Sequence, residues 1–425
     1  MILVETNNSR KIAFEILKKV FKNKSFSNIL LNDVSKMPIS DKFKNLIFAT
    51  VHGTITNQIL LNEVTKKLVD AKKTNIDIQI LLWMSIYQLR FLKTIPQYAV
   101  VNESVMIAKS INNKFAGLLN ACLKKVIKNE EELFNFSSLD KLQKICIENS
   151  FPINLFSLIE KGYGFENAKR IAIDSNQKPV ISFRVNTIKI SFEDFFEKYK
   201  EEFDLQKTEV LNCLVSKKAI VKSDAYKNGE ITIQDPASIL VANTLNPSSN
   251  SKVLDMCSAP GGKLTHLSMI MQNTGTITGY EISENKIKLI NENIQRLGCK
   301  NINLICGDAT KINEKENYDF VLLDAPCSGF GVLKRKPEIK INKIDFKNVN
   351  SIVEIQKNLL ETAYFNLSKN GTLVYSTCTI NPEENQIQIA NFIKKHNDIE
   401  IIEEKQLFGY EMNTDGFYIC KMIKR

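Results

Sequence analysis

The chain has 425 residues, 44% hydrophobic and 24% charged, which excludes a disordered or fibrous protein and leaves room for two or three domains. The net charge is +10 and it is segregated: residues 1–130 carry 20 Lys and Arg against 9 Asp and Glu, so the remainder is close to neutral. The richest apolar run, Ile80 to Tyr87, is far short of a bilayer span, which argues against a membrane protein.

Such a balance points to a nucleic-acid-facing module at the N-terminal end, beside a neutral one. A general excess of Lys, Asn and Ile reflects coding bias, but bias alone does not segregate charge. Nine cysteines, an odd number with no CxxC among them, argue against a disulfide framework or a zinc site. Three histidines, His52, His266 and His396, have no recognisable partners, so neither a metal cluster nor a His-based triad is expected. Met1 to Asn8 lacks a charged segment and a long apolar core, so a cytoplasmic location is expected. Nothing in the sequence sets an oligomeric state, and a monomer is expected.

Residues 9–130 read as all-helical. Ile12, Ile16, Leu17 and Val20 recur at helical spacing, as do Phe43, Leu46, Ile47 and Val51. Ile78 to Leu92 is apolar on nearly all sides and contains Trp83, so it should be a buried central helix. Pro96 ends that helix, and two more are predicted over 98–109 and 115–126. Residues 131–180 are mostly helical and poorly marked. A small α/β module opens with Val180-Ile-Ser-Phe-Arg-Val-Asn186, a helix over about 191–202, and strands over about 213–221 and 229–234. Asp235 should cap a helix that has Pro236 at its first position. Leu333-Lys-Arg-Lys-Pro337 reads as a short basic loop.

The most informative stretch is Val253-Leu-Asp-Met-Cys-Ser-Ala-Pro-Gly-Gly-Lys263. An apolar strand ends at Asp255, a Pro-Gly-Gly turn follows, and a helical pattern begins. This strand–turn–helix order brings backbone N–H groups and a helix N-terminus beside a nucleotide-like ligand. It is neither GxGxxG nor a P-loop. Alone it would be no more than a surface turn. Four further strands change the odds. They are 277–281 ending in Glu281, 301–308 ending in Asp308, 318–324 ending in Asp324 before Ala325-Pro-Cys-Ser-Gly329, and 371–378 ending in Cys378. Each carries its polar group at the carboxyl end, the ligand-binding edge of an open α/β sheet. A last strand, expected to be antiparallel, covers 418–423.

In Cys257–Lys263, in Asp324-Ala-Pro-Cys-Ser-Gly329, and in Ser376-Thr-Cys378 with Asn381-Pro-Glu-Glu-Asn385, the chain resembles the RNA cytosine-5 methyltransferases. These enzymes use S-adenosylmethionine (AdoMet), and the likeness is nearest to the bacterial 16S rRNA enzymes of the Sun/Fmu type. It runs from about residue 10 to the end and is weak between roughly 136 and 180. The resemblance implies a multidomain α and α/β protein. Its parts would be a NusB-like helical RNA-binding bundle (1–135), a linker and small α/β RNA-binding domain (136–235), and a Rossmann-like catalytic domain (236–425).

Carbon-5 of cytosine is a poor nucleophile until a thiolate adds to carbon-6. The resemblance gives that role to Cys378, release of the enzyme to Cys327, a hydrogen bond to N3 to Asp324, and an active-site place to Lys263. For the cofactor it implies that Cys257, Ser258, Ala259, Pro260, Gly261, Gly262 and Lys263 wrap the methionine and ribose portion. Glu281 would meet the ribose hydroxyls, Asp308 the adenine, and Asp324 the methionine end. Glu281 stands where the family usually has the shorter Asp. Arg184 is a candidate RNA-backbone contact or a structural ion pair. The substrate would be RNA, most readily small-subunit rRNA. Rival readings are the same chemistry on tRNA, and a non-catalytic RNA-binding assembly or antitermination factor.

Overall fold

A computed structural model describes residues 8–341 and 346–425; of the stretch Met1 to Asn8, where no targeting signal is expected, only Asn8 falls within them. The chain forms two compact units, one of residues 1–177 with 333–344, the other of residues 178–332 with 345–425. Among the described residues no helix is long and apolar enough to cross a membrane.

The first unit is all helical, and its core is organised around the helix Ile76–Phe91. Asn75 caps that helix by accepting from the Asp77 N–H at 2.8 Å. Eleven of its residues are buried, as its all-round apolar pattern demands. Two of its polar members are bonded across the core: Ser85 Oγ lies 2.7 Å from Ser104 Oγ, and Gln88 Oε1 accepts from Arg10 Nε at 2.7 Å. Arg10 also pairs with Glu103 at 2.8 Å. Gly53 lets the helix Asp41–Thr56 approach closely, since a Cβ there would overlap the Tyr87 ring. The helices Gln97–Ile111 and Phe115–Lys128 fall where the periodicity sets them. The helices Lys141–Glu148, Ile153–Tyr163 and Phe165–Asp174 also belong to this unit, which runs to residue 177.

Residues 333–341 belong to this unit too, and the solvated basic loop expected there is not what forms. Lys334 is buried and pairs with Asp174 at 2.8 Å. The buried Glu338 accepts from the Ser27 N–H at 2.8 Å, within the short helix Glu338–Ile341. Buried cations and carboxylates persist only when paired or hydrogen-bonded, which is how this segment is held.

The second unit begins with a small antiparallel sheet of order β2-β3-β1-β4. Its strands are β1 (Ile181–Val185), β2 (Leu205–Lys207), β3 (Cys213–Ser216) and β4 (Ile231–Ile233). The strand expected to reach 221 stops at Ser216, whose Oγ turns back to the Phe203 and Lys218 carbonyls. The helix Phe192–Phe203 packs Phe195 and Phe203 into the same core as Phe183 and Leu214.

The larger sheet has seven strands in the order β10-β11-β9-β8-β5-β6-β7. They are β5 (Lys252–Asp255), β6 (Thr276–Glu281), β7 (Ile302–Cys306), β8 (Tyr318–Asp324), β9 (Leu367–Thr377), β10 (Ile399–Leu407) and β11 (Phe417–Lys424). Strands β7, β6, β5, β8 and β9 run parallel, and β11 is antiparallel to both β9 and β10. Alternation in the sequence becomes two cores. Leu254, Val321, Leu323, Leu373 and Tyr375 face one helical layer, while Val253, Leu322 and Val374 face the other. The chain moves outward from β5 to β7 and then returns to place β8 beside β5. The direction of winding therefore switches between β5 and β8, where open sheets of this kind leave a crevice at their carboxyl ends.

Candidate active site

A cavity of about 330 Å³ opens at that crevice. Its walls include Cys257 and Ala259 from the loop after β5, Glu281 from β6, Asp308 after β7, Asp324 and Cys327 from the end of β8, and Cys378 just past β9. Parallel pairing in register produces this convergence, since Asp255 lies opposite Leu322, and Asp324 opposite Ser376. The fold thus gathers side chains from Cys257 to Cys378 onto one edge of one sheet.

The turn after β5 is built tightly. Gly261 has φ +96°, a left-handed conformation that a β-carbon would strain, and it caps the helix Gly262–Ile270. The peptide between Ala259 and Pro260 is cis. Ser258 is buried; its N–H donates to the Tyr280 carbonyl at 2.9 Å and its Oγ to the Asp255 carbonyl at 3.2 Å. Gly279 makes room for it, since a Cβ there would stand 2.8 Å from Ser258 Oγ. Of the seven residues 257–263, only Cys257 and Ala259 line the cavity; Ser258, Pro260, Gly261, Gly262 and Lys263 form the frame behind it.

Lys263 reaches across to Asp324, with Nζ 2.7 Å from Oδ2 and 5.1 Å from the centre of the Phe417 ring. Ser376 Oγ donates to the other Asp324 oxygen at 2.8 Å. Asp324 is thereby fixed at both oxygens. Beneath it Asp255 is fully buried, and its Oδ2 has no hydrogen-bond partner. Burial first, and then the Asp324 charge, push the Asp255 carboxyl up to about 7.

Cys327 Sγ and Cys378 Sγ are 3.1 Å apart, and neither is in a disulfide. The hydrogen bond to Cys378, followed by burial, raises the Cys327 thiol well above its ordinary range. Burial also raises Cys257, so neither of these two is a ready thiolate. The loops that carry the close pair are tied together by Glu384, which is fully buried. Its carboxylate accepts from the Ser328 N–H at 2.8 Å, Ser328 Oγ at 2.5 Å, Asn381 Nδ2 at 2.9 Å and Gln356 Nε2 at 3.1 Å. Four donors on one carboxylate compensate for its burial. Glu384 belongs to the Asn381–Asn385 motif, but nothing in the sequence indicates that it reaches Ser328.

Glu281 is buried and accepts from the Ser283 N–H at 3.0 Å, with Lys286 Nζ 3.6 Å away. Asp308 accepts from Thr310 N–H at 3.0 Å and Thr310 Oγ1 at 2.7 Å; these bonds lower its pKa. Ile282, Ala309, Ile355 and Leu359 add apolar wall. No motif in the sequence marks any of these four. Arg184, in contrast, is away from solvent at 1% exposure and bonds only neutral groups, so it is neither an RNA contact nor half of an ion pair.

This sheet order, with carboxylates at the carboxyl ends of β6 and β8 around a crevice, defines the class: a Rossmann-like AdoMet-dependent methyltransferase fold that follows a helical N-terminal domain in the chain. Comparison with known proteins narrows it. A family model described as 16S rRNA methyltransferase RsmB/F matches residues 242–423, and one described as the NusB family matches residues 7–128. The chain is 35% identical to the probable ribosomal RNA small subunit methyltransferase B of Bacillus subtilis, covering 98% of each chain. It is 30% identical to the probable enzyme of the same name from Synechocystis, covering 92% of this chain and 90% of that one. A crystal structure of a methyltransferase homolog protein from Pyrococcus horikoshii superposes with a TM-score of 0.61 at 27% identity, over 68% of this chain and all of that one. The protein belongs to the RsmB/F family of 16S rRNA methyltransferases, and AdoMet is the cofactor of that family.

The cavity suits that cofactor on its own chemistry. Carboxylates at Glu281, Asp308 and Asp324 fit a sulfonium, an ammonium and a ribose diol, while Ile282, Ala309 and Leu359 fit an adenine face.

Proposed function

We propose that the protein methylates carbon-5 of a cytosine in small-subunit rRNA through a covalent bond between Cys378 and the base. The observation that carries this reading is the thiol pair, Cys327 and Cys378, 3.1 Å apart on the wall of a cavity that also holds Asp324. A methyltransferase acting on an oxygen or an exocyclic nitrogen has no need of two thiols there.

AdoMet, when bound, supplies an electrophilic methyl group. Glu281 and Asp308 are the residues that would hold its ribose and adenine, and the 257–263 turn its amino-acid end. The chain's own residues do the rest. Cys378 Sγ adds to carbon-6 of the cytosine, and the ring electrons become available at carbon-5. Asp324, oriented by Lys263 and Ser376, hydrogen-bonds the N3 edge and relays to N3 the proton that the Cys378 thiol gives up. After methyl transfer the carbon-5 proton passes to water, its electron pair re-forms the ring double bond, the carbon-6–sulfur bond breaks with its pair on Cys378 Sγ, and the N3 proton returns through Asp324. Cys327 keeps its proton, and its S–H is placed to hydrogen-bond the departing Cys378 thiolate. The target base must leave its stack, or lie in a loop, to reach this cavity. The basic excess of the N-terminal helices supplies RNA affinity.

The test is methylation of 16S rRNA with labelled AdoMet, followed by nucleoside mass spectrometry. Label in 5-methylcytidine is expected. Label in any other nucleoside, or methylation of tRNA in preference to rRNA, overturns the reading.

A further inference from the structure

Arg184 is the least explained charge in the second unit. It sits on β1 at 1% exposure. Its Nε donates to Gln234 Oε1 at 3.2 Å and its Nη1 to Met269 Sδ at 3.0 Å. Its Nη2 donates to Thr265 Oγ1 at 3.2 Å and to the Gly262 carbonyl at 3.5 Å. None of these groups is anionic. Burial brings the guanidinium down to about 9, so it is still a cation at neutral pH. His266 is fully buried in the helix that carries three of these acceptors, with both ring nitrogens unpartnered; it too lacks negative charge, and burial holds it neutral. A buried cation without a counter-charge is strongly unfavourable, and folds normally pair one.

The direction of the charge is informative. Gly262 and Thr265 lie in the first turn of the helix Gly262–Ile270, which starts from the glycine turn. The helix N-terminus is itself a positive end, with N–H groups facing outward. Arg184 lies behind it and adds a full charge. The cavity beyond carries the opposite sign at Glu281, Asp308 and Asp324. Those carboxylates suit the cationic and diol parts of AdoMet but repel the carboxylate of its methionine end.

We propose that Arg184 is a positioning residue for the cofactor: its unpaired buried charge keeps the 257–263 turn positive enough to hold the AdoMet carboxylate. The missing counter-charge of Arg184 is then the ligand itself. The inference rests on the placement of the amino-acid end of AdoMet at that turn.

The test is calorimetry on the full chain with two neutral thioethers. S-adenosylhomocysteine carries the amino-acid end, and 5′-methylthioadenosine lacks it. Arg184→Met removes the charge at similar volume, and Arg184→Lys keeps it. At an effective dielectric of about 20, losing a charge about 12 Å from a carboxylate weakens binding about tenfold. Arg184→Met should therefore lose about tenfold in affinity for S-adenosylhomocysteine and hold its affinity for 5′-methylthioadenosine. Arg184→Lys should stay near wild type for both. Equal losses for both ligands in Arg184→Met would mean a steric prop and overturn the proposal, as would no loss for either. A second measurement needs no variant. Wild type should bind S-adenosylhomocysteine about tenfold more tightly than its carboxamide, by the same electrostatic argument; equal affinities overturn the charge assignment. If wild type binds 5′-methylthioadenosine but gains nothing from the amino-acid end, the placement of that end at the turn fails while the nucleoside site stands.

Discussion

Asp255 and Asp324 end adjacent strands, yet they hold their charges differently. Asp324 has a lysine and a serine on its oxygens. Asp255 is sealed off with one oxygen unpartnered, and its carboxyl is pushed up to about 7 from an ordinary 3.8. Between those two values the folded state keeps a proton that the unfolded chain has released. Stability from this group is therefore fully present below about pH 4 and is lost as pH rises through about 7. The shift of about three units corresponds to roughly 4 kcal/mol at most. Asp255→Asn should flatten the fall in denaturant stability between pH 4 and 7 and raise stability at neutral pH. A variant whose pH profile matches wild type would show that Asp255 is not protonated in the fold. The sequence makes Asp255 legible as a strand-end acid. It does not show which of two acids is buried, because that depends on where Lys263 and Ser376 land. Arg184 is opaque in sequence for the same reason: its acceptors lie 50 to 85 positions away.

Strands whose faces are both covered are plain in the sequence. β5 and β8 are short apolar runs ending in an acid, and β8 falls at the expected residues 318–324. The edge strand β10 carries no such mark. Its sequence Ile-Glu-Ile-Ile-Glu-Glu-Lys-Gln-Leu is largely exposed and charged, the composition that keeps a sheet edge from pairing with another chain. Helices of the N-terminal unit are legible from period and breakers, but their function depends on faces. Lys109 on the helix Gln97–Ile111, Lys124 and Lys125 on the helix Phe115–Lys128, and Lys114 between them are all exposed. Replacing these four lysines with glutamine should weaken RNA binding. It should also reduce the slope of log affinity against log salt by about 0.7–0.9 for each phosphate left without a cation. AdoMet affinity should be unaffected. Filter binding at several salt concentrations decides it: an unchanged slope would mean that these lysines are only solvated charge.

At the scale of the whole chain, the order of domains is readable because each part keeps its own pattern: helical period first, then short alternating strands, then apolar strands ending in acids. The excursion of residues 333–341 into the helical unit is not readable. Lys334, Glu338 and Lys340 look solvated in sequence, and only Asp174, Ser27 and Asn176 show why they can be buried. Removing the N-terminal helices would strip those partners away, so charge substitution tests RNA affinity more cleanly than deletion. The two thiols, 51 positions apart in sequence and 3.1 Å apart in space, are assigned different steps. The most direct measurement is denaturing gel electrophoresis of Cys327→Ala after incubation with 16S rRNA and AdoMet. Addition and methylation should proceed while release stalls, leaving a protein–RNA adduct that ribonuclease removes and that Cys378→Ala never forms. An adduct in Cys378→Ala and none in Cys327→Ala would contradict this assignment and make Cys327 the nucleophile.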